Sequence, residues 1–222
     1  MSGAIDIDMP AAGPNGVLSV NGNGHGNGHS PSPMPTSSSS NPCKPSFVES
    51  PSGLRFLICD APNDGNLPNY VEAFKKRGVV VLARVCDQCY STEPLLASGI
   101  QVVEIPFADG DPPPAPVVDK WLALVEQVFK RGGAPPKTGP NLTGVELDLS
   151  RSAKPVIAIH CVAGLGRAPV MVAIALVEWG MEPFDAIALI RKKRRGAINS
   201  RQLKYIENYE RRNQQKGCCT VQ

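Results

Sequence analysis

The chain has 222 residues, 42% hydrophobic and 19% charged, which suits one ordinary α/β domain with a buried core and some tail. Its formal net charge of +3 is modest, yet Arg191 to Gln222 holds ten Lys/Arg against two Glu, an end that suits anionic surfaces or phosphorylated ligands. Aromatic residues are few and scattered, which argues against base stacking and a nucleic-acid partner. No N-terminal stretch joins a basic start to an apolar core, so the seven cysteines are expected in a reducing compartment.

Residues 1–45 are rich in Gly, Asn, Ser and Pro and predict a disordered tail. Order is expected from Ser46. Leu54 to Ile58 predicts a strand, Asp60 to Asn66 a turn-rich loop, and Leu67 to Arg77 an amphipathic helix stopped by Gly78. The β-branched run Val79 to Val85 predicts a buried strand. Pro94 to Ser98 reads as a helical turn, Ile100 to Ile105 as a strand, and Ala115 to Lys130 as a helix after a Pro-rich loop. Gly132-Gly133, Pro135-Pro136 and Gly139-Pro140 mark 131–154 as an inserted loop. Val156 to His160 predicts a buried strand, Ala168 to Val177 a helix, and two more helices are expected from Pro183 and over Ser200 to Arg212. The alternation predicts an α/β fold over 46–212: a central, mostly parallel sheet flanked by helices on both faces. Residues 213–222 read as a basic tail.

The chemistry concentrates where the strand meets the helix. Cys161 is followed by Val162, Ala163, Gly164, Leu165 and Gly166, and then by Arg167. A strand–loop–helix of this kind turns successive N–H groups and a helix N-terminus toward one anion. Thiols beside a helix N-terminus and a fixed cation ionise readily, and the thiolate is the form that attacks phosphorus. Arg167 supplies the cation, and its planar fork can hold two phosphate oxygens. Gly164 and Gly166 let the backbone take unusual angles. His160 can orient the surroundings without being a base. Attack by cysteine also needs a general acid on a loop. Asp109, in Ile105-Pro106-Phe107-Ala108-Asp109-Gly110-Asp111, is the first candidate and Asp111 the second. Cys86-Asp87-Gln88-Cys89 has no second ligand pair to complete a zinc site, so neither metal nor cofactor is expected.

These segments resemble the phosphatases of regenerating liver, within the small dual-specificity group of cysteine-based protein tyrosine phosphatases. The likeness runs from about Pro51 to the C-terminus. It rests on Arg55-Phe56-Leu57-Ile58, Arg84-Val85-Cys86, Pro106 to Gly110, Cys161 to Pro169, Lys193 to Asn199, and Cys218 to Gln222. It implies the cysteine-phosphatase fold, with Cys161 as nucleophile, Arg167 as phosphate binder and Asp109 as general acid. It also implies a reversible disulfide between Cys86 and Cys161; Cys89 is the rival partner. Ala168 stands where most relatives in the wider superfamily carry Ser or Thr, which implies slow breakdown of the phosphocysteine. Ile105 and Ala108 depart from the family's Trp and acidic residue, and 131–154 is long for it.

Cys219-Thr220-Val221-Gln222 matches the prenylation pattern, with Gln favouring farnesyl at Cys219; Cys218 is a candidate for palmitoylation. One lipid anchors only marginally, so a second signal is needed. Arg211, Arg212 and Lys216, or the Arg191–Arg195 cluster, are the candidates, toward an anionic membrane. The expected location is the cytoplasmic face of plasma or endosomal membranes, with a cytoplasmic and nuclear pool. The leading activity is hydrolysis of phosphoproteins. Phosphoinositide hydrolysis ranks lower, because the loop 162–166 has no lysine for further phosphates. The resemblance also implies a binding role toward cyclin-M-type magnesium transporters, made through the catalytic pocket.

Overall fold

The computed structural model describes residues 44–129 and 143–212. The expected tail over 1–45 lies outside the described residues except for its last two, as do 131–142 of the insertion and the lipidation candidates Cys218 and Cys219. In chain order the elements are β1 (Ser46–Glu49), β2 (Arg55–Cys59), α1 (Leu67–Arg77), β3 (Val79–Arg84), α2 (Glu93–Ala97), β4 (Gln101–Glu104), α3 (Ala115–Phe129), β5 (Val156–His160), α4 (Arg167–Glu178), α5 (Pro183–Lys193) and α6 (Ser200–Glu207).

The sheet order is β1-β2-β5-β3-β4. β2, β5, β3 and β4 run parallel, whereas β1 is antiparallel to β2. Parallel strands buried on both faces read as continuous apolar runs, and alternation decides which face each residue covers. Phe56, Ile58, Ile157 and Ile159 join the core under α3, α4, α5 and α6. Leu57, Cys59, Val156 and Ala158 face α1 and α2. Each fully buried Val or Ile of β5 contributes about 1.5–3 kcal/mol. Trp121 of α3 is fully buried, with its indole N–H donating to Met171 O at 2.7 Å, so the largest core side chain also ties α3 to α4. The fold is therefore the expected α/β layer with helices on both faces.

Several local expectations need correction. β1 is not foreseen, because a four-residue strand, Ser-Phe-Val-Glu, carries too little periodicity to stand out. The last helix ends at Glu207 rather than Arg212. There the Asn208 amide donates to Lys204 O at 2.7 Å, and the Tyr209 hydroxyl donates to Glu178 at 2.9 Å, drawing the chain onto α4. The described part of the insertion is not a plain loop. Thr143 donates to Gln127 of α3 at 3.0 Å, a short 3-10 turn spans Leu149–Arg151, and Val145, Leu147 and Leu149 pack on the core.

Much of the basic C-terminal region is also spoken for within the domain. Arg191 donates to Ala197 O and Ile198 O, and Arg211 to Met181 O and Glu182. Arg212 pairs with Asp119. Lys192, Lys193 and Arg195 are exposed. Of the candidate basic signals, Arg191, Arg211 and Arg212 therefore already have partners within the domain, because carbonyls at helix ends and nearby carboxylates attract a guanidinium.

Candidate active site

Cys161 follows β5 directly and is buried. The loop from Val162 to Gly166 wraps the N-terminus of α4, whose first residue is Arg167. Its backbone has a marked polarity. Val162 O accepts from Ala61 N at 2.8 Å and Leu165 O from Ile198 N at 2.8 Å. Ala163 O and Gly164 O accept from the Arg194 guanidinium at 2.9 and 2.6 Å. Gly166 O enters the first turn of α4 through Val170 N at 3.2 Å. Each of these carbonyls is thus held by a surrounding element. Among the described residues, none of the N–H groups of 162–166 donates to a protein acceptor. Successive free donors at a helix N-terminus form an anion cradle.

Gly164 makes the turn possible. Its φ is +68°, and a Cβ there would collide with Cys59 O and the Arg194 guanidinium. Arg194 is a residue that sequence reasoning missed, because it reads there as one cation in a basic run. In the fold it braces the loop from outside, reaching also toward Lys44 O and Ser46 Oγ at 3.4 Å.

Arg167 is 6% exposed. Its Nη1 donates to Phe107 O at 3.2 Å, and its Nε lies 3.2 Å from Asp109 Oδ1. The second contact is an ion pair rather than a hydrogen bond, since Nε has no acceptor in line among the described residues. Asp109 is thereby brought to the loop, with Oδ1 also accepting from Gly110 N at 3.0 Å. The structure separates the two acid candidates: Asp111 turns away to pair with Arg201 of α6.

His160 is fully buried, and burial pushes it down to about 4, so it stays neutral near pH 7. Its Nδ1 lies 3.0 Å from Cys161 O and its Nε2 2.7 Å from the Tyr90 hydroxyl. A carbonyl can only accept, so the proton sits on Nδ1 and Tyr90 donates to Nε2. Tyr90 is braced in turn by Arg84, whose guanidinium stacks 4.7 Å from its ring centre and pairs with Glu104. This buried chain fixes the strand end that carries Cys161. Cys86 belongs to it as well, with its Sγ 3.9 Å from His160 Nδ1, and burial pushes its thiol up to about 11. Cys89 is exposed, its Sγ 3.8 Å from Pro62 O.

Gln202 was also missed. It is fully buried; its Oε1 accepts from Asn199 N at 3.2 Å, while Nε2 has no hydrogen-bond partner among the described residues. That amide lies 3.4 Å from where a Cβ on Gly166 would stand. The spacing Asn199-x-x-Gln202 is a capping signature that could have marked the helix start. Nothing local shows that it faces the loop.

No family model matches the chain. Among curated proteins, the probable protein tyrosine phosphatase type IVA A of Dictyostelium discoideum is 48% identical over 176 residues, 79% of this chain and 92% of that protein. The chain belongs to the type IVA, or PRL, family of protein tyrosine phosphatases. Protein tyrosine phosphatase type IVA 3 of Homo sapiens is 45% identical over 167 residues, 75% of this chain and 85% of that one. A solved structure, a putative protein tyrosine phosphatase from Leishmania major, is 41% identical. It superposes with a TM-score of 0.60 over 76% of this chain and 99% of its own. A kinase associated phosphatase shares the fold at a TM-score of 0.54 and 20% identity, covering 75% and 93% of the two chains.

Proposed function

We propose that this type IVA chain hydrolyses phosphoprotein monoesters, phosphotyrosine foremost, through a phosphocysteine on Cys161. The observation that carries the reading is the polarity of the loop, with the carbonyls of 162–165 tied to surrounding elements and the N–H groups left as donors. A phosphoryl group fits such a cradle, with Arg167 holding two of its oxygens. Cys161 Sγ attacks phosphorus, the bond to the leaving oxygen breaks, and Asp109 gives that oxygen a proton. Phosphate binding exchanges the carboxylate partner of Arg167 for phosphoryl oxygens, which frees Asp109 for this step. Water then attacks phosphorus, Asp109 takes its proton, and the thiolate leaves. Gln202 Nε2, which has no hydrogen-bond partner among the described residues, supports a role as the donor that holds this water.

Ala168, buried at the second position of α4, offers no hydroxyl to the departing thiolate. The second step is therefore the slow one. Ala168→Ser should raise kcat on an aryl phosphate about tenfold, the effect of one charge-assisted hydrogen bond. Unchanged kcat in steady-state assays would overturn this reading.

A long-lived phosphocysteine also supports a second role, a binding module for the regulatory domains of cyclin-M-type magnesium transporters. Cys161→Asp, which mimics the charged intermediate, should block the complex. Undiminished binding of that variant by calorimetry would count against a pocket-mediated interaction.

Membrane attachment is proposed through farnesylation of Cys219, with the exposed Lys192, Lys193 and Arg195 as the basic signal at an anionic cytoplasmic surface. In cell fractionation, Cys219→Ser should move the protein to the soluble fraction. Persistent sedimentation with membranes would refute the anchor.

A further inference from the structure

The loop that carries Asp109 is gripped from α6 as well as from the phosphate loop. Four successive points are held: Phe107 O and Asp109 by Arg167, Gly110 O by the Asn199 amide at 3.3 Å, and Asp111 by Arg201. Asn199 does two jobs at once. Its Oδ1 caps α6 by accepting from Gln202 N at 2.9 Å, which leaves its NH2 free to donate to Gly110 O. Gly110 sits at φ +77°, so the loop makes its sharp turn at the gripped carbonyl. Neither contact touches the reacting atoms, yet both bear on the two residues that follow Asp109.

We propose that Asn199 and Arg201 form a latch on α6 that holds the acid loop closed, making them positioning residues for proton delivery by Asp109. The inference rests on the reading of Asp109 as general acid. The Arg201–Asp111 pair is exposed and contributes little alone. Together with a hydrogen bond anchored by a rigid helix cap, it biases the loop toward the closed position. The latch joins the acid loop directly to the segment that carries Gln202. One rigid element therefore aligns the proton donor of the first step and the water of the second.

The test is the dependence on the leaving group. Phenyl phosphate needs a proton on its departing oxygen far more than 4-nitrophenyl phosphate does. Asn199→Ser keeps the cap and the Ser-x-x-Gln spacing but removes the amide donor. Asp111→Asn removes the ion pair. The double variant should lower kcat/KM for phenyl phosphate about fivefold, the combined worth of one exposed pair and one hydrogen bond. Its kcat/KM for 4-nitrophenyl phosphate and its Tm should stay near wild type. Exchanging the charges, Asp111→Arg with Arg201→Asp, should restore most of the phenyl phosphate rate that Asp111→Arg alone loses. Asp109→Asn separates the two claims. If it spares phenyl phosphate, the general-acid reading fails. If it abolishes that activity while the latch double variant matches wild type on both substrates, the latch fails.

Discussion

Cys161→Ser should reduce turnover of an aryl phosphate by at least ~10⁴-fold, the scale on which loss of a nucleophile is felt. The reason lies in what surrounds the thiol. A serine hydroxyl needs a base to activate it, and the nearest imidazole cannot serve. His160 holds its proton on Nδ1 toward Cys161 O and accepts from Tyr90 at Nε2, and burial pushes it down to about 4, so it is neutral near pH 7. The exchange is nearly isosteric in a buried position, so the thermal midpoint should scarcely move. Stopped-flow assays of product release, mass spectrometry of the trapped enzyme and a thermal melt check these points. A phosphoryl group trapped on a residue other than Cys161 in the wild-type enzyme, or turnover of the variant above roughly 1% of wild type, would sink the assignment. The same thiol is the expected site of oxidation. Peroxide should convert it to a sulfenic acid, and attack by the Cys86 thiolate should then form the disulfide and release hydroxide. Because burial pushes Cys86 up to about 11, ring closure should quicken as pH rises from 7 to ~9. Peptide mapping under non-reducing conditions decides the partner, and a Cys89–Cys161 link would displace Cys86.

Arg167→Lys is expected to cut kcat/KM by about 10²–10³, comparable to losing a preorganised donor to the transition state. Charge is retained, so a small effect would show that charge alone matters. The geometry argues otherwise. The buried guanidinium grips the acid loop at two points, Nη1 donating to Phe107 O and Nε facing Asp109. A lysine ammonium is a compact point charge and cannot replace a planar fork directed both at a phosphate and at the acid loop. Inhibition by inorganic phosphate should weaken in parallel, since the same fork holds the product. Activity within fivefold of wild type would leave the proposed role without support.

Features set by a few neighbouring residues were legible before any packing was known. The apolar run before Cys161, the glycine at a left-handed turn and the helix after it are all local, so strand, cradle and helix N-terminus were legible together. So were α1 with its Gly78 stop and the alternation that buries both faces of the sheet. Which groups converge on that cradle became visible once the layers were packed. Arg194 braces loop carbonyls thirty residues away, Tyr90 meets His160 seventy residues away, and Asp109 rather than Asp111 reaches Arg167. Those partners depend on parallel crossovers that bring distant segments to the same end of the sheet. Local propensity acts over a turn or two, whereas the pairing of a buried donor with its acceptor is settled only when the layers pack.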